Sequence, residues 1–171
     1  MAARAAKAKA EENPVATLKR VFKYDSFLDC QEQAIHEAEA GRNVLAVVRT
    51  GGGKSIIFQI PGIRRTGLTI VISPLISLMH DQVNDLVKRK VAAVVIDGDV
   101  SQAKRKEIWQ QIRAKKIRFL YVSPEQLSTE TFYKELKDTT VSLLVVDEAH
   151  CIAQWGHDFR EEYAQLSILK E

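Results

Sequence analysis

Two short stretches of this 171-residue sequence carry side chains whose types and spacing can do chemistry. The first is Arg49-Thr50-Gly51-Gly52-Gly53-Lys54-Ser55, set between an apolar run and the helix-spaced residues Ile56, Ile57 and Ile60. Consecutive glycines let backbone N–H groups turn inward and let phosphate oxygens come close. A helix that follows them adds free N–H groups and the positive end of its dipole. Lys54 is then suited to reach the β- and γ-phosphates of ATP, and Ser55 to ligate Mg2+. The general pattern has glycine at position 48, where this chain carries Val48. Alone, the stretch also reads as a flexible glycine-rich hairpin; its strand–turn–helix setting favours the phosphate loop.

The second stretch, Asp147-Glu148-Ala149-His150, ends an apolar run over 141–146. An aspartate there sits at the carboxyl edge of a strand, where α/β sheets bind ligands. Asp147 is suited to hold the metal, directly or through water. Glu148 is suited to orient and deprotonate a water that attacks the γ-phosphate. An acidic loop after a strand is common by itself. Both stretches, in this order on two strand ends, point to hydrolysis of Mg-ATP.

The elements that must position these groups alternate along the chain. Continuous apolar runs at 44–48, 68–72, 91–96, 119–122 and 141–146 fit strands buried on both faces, as in parallel sheets. Helical signals lie before and between them. Asn13-Pro14 is a helix start, with Val15, Leu18, Val21 and Phe22 at helical spacing. A second helix is expected from about Asp29 to Ala40, stopping at Gly41. Ser73-Pro74 opens another, with Leu75, Leu78, Met79, Val83, Leu86 and Val87 on its buried face; Ser101 opens one carrying Ile108, Trp109 and Ile112; Ser123-Pro124 opens a third. This alternation predicts a three-layer α/β domain of βαβ units with a mostly parallel sheet.

Composition sets bounds rather than a function. The net charge of +3, from 25 basic and 22 acidic residues, permits nucleic-acid binding without requiring it. Cys30 and Cys151 lie far apart without CxxC spacing, which argues against a disulfide framework or a zinc site and fits a reducing compartment. His150, Cys151 and His157 lack a fourth ligand and lie too close together to share one ion well. No apolar run approaches the roughly 20 residues that span a bilayer. Residues 1–12, rich in Ala, Lys, Arg and Glu, read as a solvated arm ahead of one domain over 13–171, with no apolar core of a signal peptide.

From about Leu18 to the end the sequence resembles the RecQ family of ATP-dependent DNA helicases. Residues 18–24 and Phe27 to Gln31 look like its adenine-reading motif, with the aromatic at Tyr24 and the glutamine at Gln31. Thr50 to Ser55 is similar to helicase motif I, the stretch 73–82 to motif Ia, 121–127 to motif Ib, and 147–150 to motif II. The resemblance implies a RecA-like fold and turns Ser73 and Ser123, read from sequence as helix N-caps, toward the DNA backbone. The stretch 151–160 looks like the family's aromatic-rich loop, which links contact with single-stranded DNA to ATP hydrolysis. There Trp155 and Phe159 can stack on unpaired bases and Arg160 can meet a phosphate or base, with His150 beside them. From their types alone Trp155 and Phe159 would be core residues, but Gly156, His157 and Asp158 make a turn between them. Departures from the family are Leu28 for a usual arginine near the adenine, Lys23 for glycine, Arg49 for proline, Ala153 for serine and Glu161 for proline. None removes a phosphate-, metal- or water-handling group.

The resemblance implies a first, ATP-binding lobe whose second lobe, zinc module and winged helix are missing from these residues. The expectation is weak ATP binding, poor hydrolysis and no unwinding by the lobe alone, and 3′–5′ travel on single-stranded and forked DNA by a complete enzyme. A monomeric protein of the bacterial cytoplasm or the nucleus, not secreted, is expected. Two rivals are a DEAH-type RNA helicase lobe, which residues 155–160 speak against, and a non-catalytic module that binds nucleotide or a partner.

Overall fold

The computed structural model describes residues 13–49 and 51–150. Thr50, the arm expected over 1–12 and the aromatic-rich loop with Trp155, Phe159 and Arg160 lie outside the described residues. The chain divides into two compact units, Met1–Thr66 and Gly67–Glu171.

Helices make up the regular structure described in the first unit. Helix α1, Pro14–Thr17, is capped by Asn13, whose side chain accepts from the Val15 N–H at 2.9 Å. It runs on as a π-helical turn, Leu18–Phe22, which buries Leu18, Val21 and Phe22 and stops at left-handed Lys23. Helix α2, Gln31–Glu39, begins two residues later than Asp29 and ends before Gly41, whose φ of 78° suits glycine. Helix α3, Lys54–Arg64, packs on α2 and α1 and buries every residue from Ile56 to Ile63.

The run over 44–48 is not a strand, contrary to the sequence expectation. Leu45 and Val47 are 84% and 90% exposed. A strand buried on both faces needs neighbouring strands to take its N–H and C=O groups. The described part of this unit holds none, and apolar composition does not supply one.

The second unit holds the sheet. Strand β1, Leu68–Ile72, leads through helix α4, Ile76–Lys88, to β2, Ala93–Ile96; helix α5, Gln102–Arg113, follows, then β3, Phe119–Val122. A 3₁₀ turn, Pro124–Ser128, and helix α6, Glu130–Leu136, lead to β4, Val141–Val146. The order is β2-β3-β1-β4, all parallel, with Ile70 between Leu120 and Leu144. One face, with Leu68, Ile70, Ile72, Ile96, Leu120 and Val122, packs against Ile108, Trp109 and Ile112 of α5 and Phe132 and Leu136 of α6. Alternate residues, Tyr121 among them, face α4. Helices on both faces make the three-layer α/β arrangement that the sequence predicts. The connecting helix changes face when the strand order reverses direction, as a single crossover hand requires.

Two helix starts differ from the sequence reading. Helix α4 begins at Ile76 with extended Leu75 as its N-cap, so Ser73 caps nothing, and Leu75 and Val87 are exposed rather than packed. Ser123-Pro124 opens the 3₁₀ turn, without a side-chain cap bond from Ser123. Pro74 disfavours helical backbone at Ser73, and α4 starts three residues further on. Ser101 does cap α5, accepting from the Lys104 N–H at 3.3 Å. Ser101→Ala is expected to lower stability by about 1 kcal/mol in urea unfolding, the usual worth of an N-cap.

A consequence of the parallel order is that all four strands end at one edge. The residue after each strand is polar and buried: Ser73, Asp97, Ser123 and Asp147.

Candidate functional site

In the first unit the glycine loop is shaped by close backbone approach. Gly51 and Gly53 have φ of 78° and 69°, a region that costs other residues about 1 kcal/mol. The Gly52 N–H donates to the Arg49 carbonyl at 3.0 Å, closing a tight turn. A Cβ on Gly52 would lie 2.6 Å from Val48 Cγ1 and 2.9 Å from the Arg49 carbonyl oxygen. A Cβ on Gly53 would run into the Gln31 side-chain nitrogen. Gly53 is also the N-cap of α3, and no side chain caps that helix, whose first residues are Lys54 and Ser55. The first-turn N–H groups are therefore served by no capping side chain, the condition that makes a helix start attractive to phosphate.

Gln31 is tied to this loop. Its Oε1 accepts from the Leu28 N–H at 2.9 Å and its Nε2 donates to the Gly53 carbonyl at 2.9 Å, with the residue 4% exposed. The structure thus brings Gln31 to the phosphate loop, a link that the resemblance to an adenine-reading motif did not contain. Tyr24 is 54% exposed. Gly53→Ala combines backbone strain with displacement of Gln31 and is expected to weaken nucleotide binding about tenfold, or about 1.4 kcal/mol. Affinity within about twofold of the parent in a fluorescent-nucleotide titration would show that the loop shape is not needed.

In the second unit the edge after β4 carries the acidic pair. The Asp147 N–H donates to the Ile72 carbonyl at 2.8 Å, so the sheet pairing runs one residue past β4 and pins the start of the turn. The Asp147 side chain is 3% exposed; Oδ1 accepts from the Glu148 N–H at 3.0 Å and Oδ2 from Gln82 Nε2 at 3.4 Å. Glu148 takes a left-handed φ of 51°, a strained setting common at working residues. Its Oε2 lies 3.2 Å from Nδ1 of His150, which is 59% exposed. His150 therefore sits on the candidate base, a closer tie to Glu148 than its place beside the aromatic-rich loop suggested.

Ser73 and Ser123 are 1% and 3% exposed, and the Ser73 hydroxyl has no hydrogen-bond partner. Among the described residues no three His, Cys, Asp or Glu side chains cluster as a metal cage. Sequence reasoning missed Gln82, since a glutamine inside a helical pattern gives no local signal of what it meets.

An all-parallel sheet ending in Asp-Glu-Ala-His, in a chain with a Gly-Gly-Gly-Lys-Ser loop before a helix, has the pattern of the P-loop class of α/β domains. The sequence profile of the DEAD/DEAH box helicases matches residues 28–171, and the chain belongs to that family. It is 44% identical over 161 residues to the ATP-dependent DNA helicase RecQ of Haemophilus influenzae, covering 93% of this chain and 26% of that one. It is 38% identical over 156 residues to the probable ATP-dependent DNA helicase RecS of Bacillus subtilis, covering 91% and 31%. With the ATP-dependent DNA helicase Q-like 4B of Arabidopsis thaliana it shares 37% over 160 residues, covering 90% and 14%. The chain thus spans a third or less of the length of these relatives.

Proposed function

We propose that residues 13–171 form the ATP-binding motor lobe of a RecQ-type DNA helicase, which uses Mg-ATP hydrolysis for 3′–5′ unwinding of single-stranded and forked DNA. The observation that carries the reading is the uncapped start of α3 behind a loop where Gly52 and Gly53 leave no room for a Cβ. Such a loop presents backbone donors to phosphate, and Lys54 adds a cation for the β- and γ-phosphates. Gln31, already bonded to the loop, keeps a second N–H for the adenine, with Tyr24 to stack on it.

Ser55 offers a hydroxyl and Asp147 a carboxylate, the oxygen donors that suit Mg2+. When bound, Mg2+ supplies charge neutralisation on the phosphate oxygens. Glu148 accepts a proton from the attacking water, and His150 at its carboxylate steadies that group before the proton arrives. Trp155, Phe159 and Arg160 have the types to stack on unpaired bases and meet a phosphate, so single-stranded DNA is the partner proposed for them. The setting that fits this work is the bacterial cytoplasm or the nucleus. Among the described residues no helix is long and apolar enough to cross a membrane.

The test is a titration of the chain with a fluorescent ATP analogue and Mg2+, alone and with single-stranded DNA or RNA. The expected result is weak Mg-dependent binding that tightens with DNA more than with RNA. Equal tightening by RNA would favour an RNA helicase lobe. Absence of nucleotide binding by folded protein would overturn the reading.

A further inference from the structure

Helix α4 buries Met79, Val83 and Leu86, and Gln82 lies on the same stripe, half-buried beside them. A polar side chain on a buried stripe must find hydrogen-bond partners. Gln82 finds them on two other elements. Its Oε1 accepts from the Tyr121 hydroxyl of β3 at 3.0 Å, and its Nε2 lies 3.4 Å from Asp147 Oδ2 at the end of β4. Tyr121 is fully buried and Asp147 nearly so.

These contacts fix an orientation. A carboxylate oxygen accepts, so the NH₂ faces Asp147, and the carbonyl at the other end accepts from the Tyr121 hydroxyl. With Oδ1 held by the Glu148 N–H and Oδ2 by Gln82, both carboxylate oxygens are oriented by donors. Helix α4 is itself anchored at the next strand end, where His80 Nε2 meets the buried Asp97 Oδ2 at 2.9 Å.

We propose that Gln82 is a positioning residue: braced by Tyr121, it sets the rotamer of Asp147 in which that carboxylate takes up Mg2+ with nucleotide. The inference rests on the nucleotide-binding reading above and adds to it the residue that orients the metal-holding carboxylate. Groups that hydrogen-bond a ligating carboxylate act on metal affinity rather than on the fold alone.

The experiment measures how much Mg2+ tightens binding of a fluorescent ATP analogue, as the ratio of affinities in Mg2+ and in EDTA, for the chain and two variants. Gln82→Leu is expected to reduce that ratio about tenfold and leave the affinity in EDTA unchanged. Tyr121→Phe, which keeps Gln82 but frees its carbonyl, is expected to reduce the ratio on the order of threefold. An unchanged ratio with a lowered thermal midpoint would make Gln82 a packing residue and overturn the proposal. Loss of affinity in EDTA and Mg2+ alike would overturn it too. If Gln82→Leu loses its folded circular dichroism, Tyr121→Phe decides, and a ratio equal to the parent's overturns the proposal. Binding that the parent chain lacks, or that survives Lys54→Ala, would remove the nucleotide reading and this inference with it.

Discussion

Replacing Lys54 by alanine is expected to weaken Mg-ATP binding at least about a hundredfold, or about 2.7 kcal/mol. Gly51 and Gly53 are left-handed, Gly52 is held against Arg49, and Gln31 fastens the Gly53 carbonyl, so the turn is set before ligand arrives. What it lacks is a full positive charge, because backbone N–H groups and a helix dipole contribute only about half an elementary charge. The ammonium at the first position of α3 supplies it. Two charge-assisted hydrogen bonds to phosphate, each about 1.5–3 kcal/mol, account for the loss. A cation at a helix N-terminus opposes the dipole by about 0.3–1 kcal/mol, so the change in stability is the balance of that relief against the contacts Lys54 makes. Fluorescent-nucleotide titration and thermal unfolding of the two proteins measure both effects. Binding retained within about threefold would mean that another group holds the phosphates.

The fold was legible where burial is decided by composition. The runs at 68–72, 119–122 and 141–146 are strands with the expected ends, because continuous β-branched and aromatic residues suit a sheet covered on both faces. The run at 44–48 has the same composition and is exposed coil. Strand pairing is a property of neighbours, and nothing within five residues names one. Helix starts divide in the same way. Asn13 and Ser101 act as caps because their side chains bond N–H groups within three residues. Ser73 and Ser123 carry the same signal, but α4 starts only at Ile76, and Ser123, though it heads the 3₁₀ turn, makes no side-chain bond to it. The phosphate-loop and Asp-Glu-Ala-His residues could be put forward as candidates from sequence because each set lies within one turn of chain. Gln31 on Gly53 and Gln82 on Asp147 could not: these contacts span 22 and 65 residues.

Glu148→Gln should separate binding from chemistry. The substitution keeps the shape of the side chain and removes its ability to accept a proton, so the rate of γ-phosphate hydrolysis is expected to fall at least about a hundredfold. Binding of Mg-ATP is expected to stay within about threefold, with any change toward tighter binding, because the variant presents one negative charge fewer to a polyanion. The backbone argues that the effect will be local. Glu148 holds φ at 51° in a turn pinned by the Asp147 N–H on Ile72, and glutamine meets the same strain as glutamate. His150 loses a carboxylate neighbour at 3.2 Å, and since its own side chain is largely exposed, a contact of this kind is worth about 0.2–1 kcal/mol of stability. The measurement is single-turnover hydrolysis of radiolabelled ATP with protein in excess, beside the nucleotide titration. The parent rate itself should be slow, since P-loop ATPases draw further rate from an arginine finger that neither the loop nor the Asp-Glu-Ala-His turn supplies. A rate within about threefold of the parent would mean that Glu148 is not the base, and that its pairing with His150 serves the turn alone. A lost rate with lost binding would instead assign Glu148 to holding the nucleotide. Only lost rate with binding kept assigns it the proton.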